Sequence, residues 1–193
     1  MTTREQWLNA AVDTFRPWFI EAGKPLPDDI KVSIGWPYRG RKSIGECWAA
    51  EAATDAARHI FLSPKLKTGP LELAGAGGLL GTLLHELCHA ALPSKTGHRK
   101  PFQKLAADMG MVGPWTATTL DKPTQGKMIN VARQLGEFPA GSLEPMTKLA
   151  AQKNRHIKCE CEECGYIARV ARKHLVSMGP PHCPAHGEMA VDQ

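Results

Sequence analysis

Residues 85–89 read His-Glu-Leu-Cys-His and close a stretch, Leu73 to Leu84, rich in Leu, Ala and Gly. The composition predicts a central helix from about Leu71 to Leu92. On a helix, residues four apart project from one face one turn apart, so His85 and His89 can both reach one zinc ion. Glu86 lies beside that face, where it can accept a proton from water as the water attacks a carbonyl, the arrangement of a zinc peptidase. Most of the surrounding segment is apolar, unlike an ordinary solvated helix face.

A zinc site of this type needs a third protein ligand and leaves its fourth position to water. His98 follows His89 after the loop LPSKTG, where Gly97 permits the chain to turn back, and is the first choice. Asp108, on the next predicted helix, is the rival. The metzincin pattern is not supplied, because Ala90 to Pro93 lacks its Gly and His. Tyr38 and Arg39, in a polar loop, are candidates for stabilising an oxyanion.

The rest of the chain reads as an α+β frame around this helix. From Thr3 to Ala22, Trp7, Leu8, Ala11, Val12, Phe15, Trp18 and Phe19 recur at helical steps, with Pro17 expected to kink or divide the helix. Ile30 to Ile34, Ile44 to Ala49 and Arg58 to Leu62 predict a small antiparallel sheet. The intervening WPYRGRK reads as a solvated hairpin tip. The glycines at 75, 77, 78 and 81 match neither a Walker loop nor a dinucleotide fingerprint and read as a loose helix start or close packing. Pro101 to Met109 predicts a further helix capped by Gly110. The domain is expected to end near residue 122, followed by a linker with a possible helix over 123–152.

From 153 to 193 the composition shifts to Cys, His and charge. Such a segment cannot bury enough apolar surface to fold alone and needs a metal or a host domain. Four of the six cysteines lie here. Cys161-x2-Cys164 and Cys183-x2-His186, separated by 18 residues, have the spacing of a structural zinc ribbon. Cys159 could replace Cys161, and His182 adjoins Cys183. Cys88 lies off the His85/His89 face and reads as a core residue; Cys47 reads as a buried strand thiol. Lys153, Arg155, Lys158, Arg169, Arg172 and Lys173 oppose Glu160, Glu162 and Glu163, and with Tyr166 for stacking they offer a surface for nucleic acid.

Composition narrows the remaining classes. With 42% apolar and 22% charged residues the 193-residue chain is globular, and its +5 charge permits a polyanionic partner without requiring one. The 12-residue apolar stretch is too short to cross a bilayer, so no membrane partner is expected. Arg4 and Glu5 occupy the place of a signal peptide's apolar region, so the expected location is the cytoplasm.

The run LLHELCHAALPSKTGHRKPFQKLAADMG resembles the active-site region of the SprT-like zinc peptidases, which include the Spartan-type DNA-dependent proteases. It matches in the His-Glu-x-x-His on an apolar helix, in the Gly-His after a short loop, and in Phe102 four residues later. The resemblance continues more weakly through KVSIGWP, IGECW and HIFLSP. CEECGYIARVARKHL is similar to the family's C-terminal ribbon, with His186 where many relatives have Cys. The resemblance implies a zincin-like peptidase domain over 1–122, a ribbon over 153–193, and two zinc ions. His85, His89 and His98 would hold the catalytic ion, with Glu86 as acid/base; Cys161, Cys164, Cys183 and His186 would hold the structural one. It further implies a protein substrate bound or crosslinked to DNA. The alternatives are an inactive nucleic-acid-binding zinc protein and a regulatory protease that works without DNA.

Overall fold

Helix α1, Arg4–Glu21, begins at a reciprocal cap: Gln6 N donates to Thr3 Oγ1 (3.1 Å) and Thr3 N donates to Gln6 Oε1 (2.8 Å). Its buried stripe is Trp7, Leu8, Ala11, Val12, Phe15 and Phe19. Pro17 does not divide it. That residue lies on the exposed side, where solvent can satisfy the carbonyl that loses its partner. These positions come from a computed structural model that describes residues 2–36, 43–69, 72–75, 77–139 and 156–192.

Strands β1 (Ile30–Ile34), β2 (Gly45–Trp48) and β3 (Arg58–Leu62) form one sheet in the order β1-β3-β2. β3 runs parallel to β1, pairing Ile30 with Arg58 through Ile34 with Leu62, and antiparallel to β2, pairing Gly45 with Leu62 through Trp48 with His59. The sheet is therefore mixed rather than antiparallel. Side-chain alternation reports which face a residue occupies, not which way its strand runs. Because β1 and β2 are not neighbours, no hairpin joins them. Of WPYRGRK, residues 37–42, and with them Tyr38 and Arg39, lie outside the described residues.

Helix α2, Leu79–Ala90, packs on β2 and β3 and buries Leu79, Leu80, Leu83, Leu84, Leu87 and Cys88 completely. It starts later than the composition predicts. Gly77 takes a φ of +69°, and a Cβ on Gly78 would stand 2.3 Å from the carbonyl oxygens of both Glu72 and Leu73. The glycines thus form a close turn ahead of the helix. Helix α3, Lys100–Asp108, has Pro101 in its first turn.

After α3, the two-residue strands β4 (Met111–Val112) and β5 (Thr119–Leu120) pair antiparallel. Helix α4, Lys122–Leu135, then opens on Asp121, whose Oδ1 accepts from Thr124 N at 2.8 Å. The segment read as a linker therefore starts with a helix whose Met128, Val131 and Ala132 belong to the main core. The first compact unit runs to residue 144 and the second from 145.

The second unit is small. β6 (His156–Glu160), β7 (Ile167–Ala171) and β10 (Ala190–Val191) form a sheet in the order β10-β6-β7, followed in the chain after β7 by α5 (Arg172–Met178). β8 (His182–Cys183) pairs with β9 (Gly187–Glu188). Its buried cluster is Cys159, Cys161, Cys183 and Met189. Together the described residues make a mixed α+β protein with five α-helices, none long and apolar enough to cross a membrane.

Met128 is fully buried, so Met128→Ala is expected to cost about 2–5 kcal/mol of stability. Urea denaturation measures this; a loss below about 0.5 kcal/mol would mean that α4 is not part of the core.

Candidate functional site

Three imidazoles converge at one point above α2. His85 Nε2 lies 3.2 Å from His98 Nε2, and His89 Nε2 lies 3.1 Å from the same atom. Nitrogens bound at about 2.0–2.1 Å to a tetrahedral zinc stand roughly 3.3 Å apart, so the spacing fits such an ion. α2 supplies the first two. The third arrives through a 3-10 turn, Ser94–Thr96, and Gly97, whose φ of +52° favours glycine. Gln103 Nε2 donates to the His98 carbonyl (2.9 Å) and holds that turn against α3.

Phe102 is the apolar support of the cluster. Its ring centroid lies 4.3 Å from that of His89, nearly parallel, and 4.9 and 5.0 Å from those of His98 and His85. Burial, and then the neighbouring imidazoles, pulls His85 down to about 3 and His89 to about 4; burial also lowers His98. All three are therefore neutral at pH 7, the state a metal ligand requires. His85 Nδ1 is hydrogen-bonded to Thr118 Oγ1 at 2.9 Å, on the side of the ring away from the cluster.

Glu86, the residue after His85 on α2, is buried. Burial first, and the charge of Glu46 second, push its carboxyl up to about 8. β2 passes directly over it. A Cβ at Gly45 would stand 2.6 Å from Glu86 Oε1 and 2.9 Å from Thr82 Cγ2, so only glycine lets the strand come this close. Sequence reasoning did not single out Gly45, since a glycine inside a strand carries no pattern of its own.

The cluster opens into a cleft of 810 Å³. One wall is residues 43–49, which contain the edge strand β2; the other is residues 116–120. His85, Glu86, His89 and His98 lie between them, and Arg58 also lines the cleft. The SprT-like family model matches residues 10–122, more than half of the chain. The chain belongs to the SprT-like family. No curated protein and no solved structure matches it. The SprT-like match includes the whole of the cleft and its three histidines, and the family is associated with metallopeptidase activity.

The structure also decides which rivals come near. Asp108 ends α3 in an ion pair with Lys104 (2.8 Å) and is not in the three-histidine cluster. Cys88 is buried, as its position off the histidine face implies. Cys47, read as a buried thiol, is half-buried and lines the SprT-like cleft, because β2 is an edge strand; burial pushes it up to about 12.

In the second unit, Cys161, Cys164, Cys183 and His186 bring their donor atoms within 4.8 Å of one another. Cys164 Sγ and Cys183 Sγ are 3.7 Å apart, and His186 Nδ1 lies 3.6 Å from both Cys161 Sγ and Cys183 Sγ. Thiolates at about 2.3 Å from a tetrahedral zinc stand roughly 3.8 Å apart, so this donor set fits as well. Cys159 lies in the small core and His182 is exposed; neither joins the cluster.

Phe102→Ala is expected to cost about 3–5 kcal/mol and to weaken metal binding at the histidines, whereas Asp108→Ala leaves metal binding unchanged. Chelator competition on both variants checks this; metal loss in Asp108→Ala would restore it as a ligand.

Proposed function

We propose that this chain is a zinc-dependent endopeptidase of zincin-like architecture that acts on proteins associated with or crosslinked to DNA. The observation that carries the catalytic part is one open cleft lined by both the buried Glu86 and the three converging histidines. His85, His89 and His98 would hold a zinc ion, which would supply Lewis acidity towards a carbonyl oxygen and a water.

Glu86 takes the proton from the attacking water and passes it to the leaving amine. Burial makes the ionised Glu86 carboxylate a stronger base than an exposed glutamate, and its ionised fraction grows as the pH rises towards 8. The backbone of β2 at Gly45 confines the carboxylate on one side. An extended peptide laid along β2 adds a strand to the sheet edge and brings its backbone to the histidines. Phe102 and the apolar face of α2 exclude water from beneath.

A second ion would be structural: Cys161, Cys164, Cys183 and His186 would supply all four of its ligands. It would cross-link a unit whose core is only a few side chains. The DNA part of the proposal rests on the family resemblance together with Arg169, Arg172 and Lys173, which follow exposed Tyr166 along β7 and the start of α5. Lys153 and Arg155 fall outside the described residues, and Lys158 is paired with Glu160. Glu188 and Asp192 add to the acids, so any positive surface is local to β7 and α5. This acidity favours the second reading, a protease that works without DNA.

Glu86→Gln is expected to keep both zinc ions and lose about 10²–10⁴-fold in cleavage of a DNA-crosslinked protein. Retained activity in the zinc-replete variant would remove Glu86 as the base. Equal cleavage by the wild type with and without DNA would establish the second reading. Absence of any cleavage by the zinc-replete wild type would make the chain a binding protein.

A further inference from the structure

Thr118 ends the loop between β4 and β5 and reaches His85 from the side opposite the histidine cluster. Its Oγ1 lies 2.9 Å from His85 Nδ1 and 3.5 Å from Met111 Sδ. A threonine hydroxyl has one proton to give, and a thioether sulfur can only accept. When that proton is turned to Met111, the lone pairs of Oγ1 face His85. His85 Nδ1 then donates, which puts its proton on Nδ1 and leaves Nε2 bare, the state its place in the histidine cluster requires. That bare nitrogen is the one aimed at His98, 3.2 Å away.

We propose that Thr118, oriented by Met111, is a positioning residue that holds His85 as the Nδ1–H tautomer and so preforms the three-histidine metal site. The inference rests on the reading of that cluster as a metal site. The short hairpin explains how the residues meet. Met111 pairs with Leu120 and Val112 with Thr119, so Thr118 stands two residues before the partner of Met111, the diagonal position from which a side chain can reach it. Burial of the ring adds to the need for a fixed partner, because an imidazole N–H in an apolar setting costs free energy when unpaired.

Ligand-orienting partners of this kind are worth about 10–100-fold in metal affinity. Cobalt(II) is the probe, since its visible spectrum separates nitrogen ligation from the thiolate ligation of the second unit. Titrated into the full-length metal-free protein against a chelator, it is expected to bind the nitrogen site of Thr118→Val 10–100-fold more weakly than that of the wild type. Thr118→Ser, which keeps the hydroxyl, is expected to bind within a few-fold of the wild type. Wild-type affinity in Thr118→Val overturns the proposal, and so does an equal loss in Val and Ser, which would show that keeping the hydroxyl does not preserve the site. His85→Ala separates the two levels of the argument: if it too retains the nitrogen-type spectrum, the three-histidine reading itself fails.

Discussion

The buried side of α2 governs the first unit. Nine of its 12 residues are buried, and the helix is pinned between the sheet and α3. A helix so enclosed has little freedom to rotate, because turning it would expose leucines and bury imidazoles. His85 and His89 are therefore fixed in direction by apolar packing some way from the chemistry. His98 is fixed to them by the turn after α2, and Phe102 touches all three rings. The polar site is in this sense a consequence of the core, and the low tendency of its imidazoles to protonate follows from the same burial.

What was readable in the chain divides along physical lines. β1 and β3 lie at the predicted residues because their apolar runs are bounded by turn-forming residues. The pairing of His85 and His89 follows from helical period alone. His98 joins them in space as its place after a short glycine loop implies, and the four ribbon donors meet at the spacing expected of two knuckles. Local pattern does not encode strand direction or order, which depend on how distant segments pack. That is why the sheet is mixed and why β1 and β2 are not neighbours in it.

Other features left too little trace. Strands of two residues have no period, so the β4–β5 hairpin, and Thr118 with it, could not be seen. α4 falls where a helix was possible, but Pro123 and Gly126 weaken its pattern and give it the look of a linker, although Pro suits the first turn and Gly126 lies on the exposed side. Gly45 matters for what it lacks: its role exists only because Glu86 comes to lie against it. The two compact units also differ in what holds them. The first has an extensive apolar core, whereas the buried cluster among the described residues of the second is four side chains, three of them cysteines.

Everything proposed for the activity requires two separate metal sites of different chemistry. Native mass spectrometry of the wild type, His85→Ala and Cys164→Ser tests this directly. The expected result is two zinc ions per chain in the wild type and one in each variant. A wild type that carries a single ion, kept by His85→Ala and lost only in Cys164→Ser, would contradict the three-histidine site and leave a ribbon-bearing binding protein.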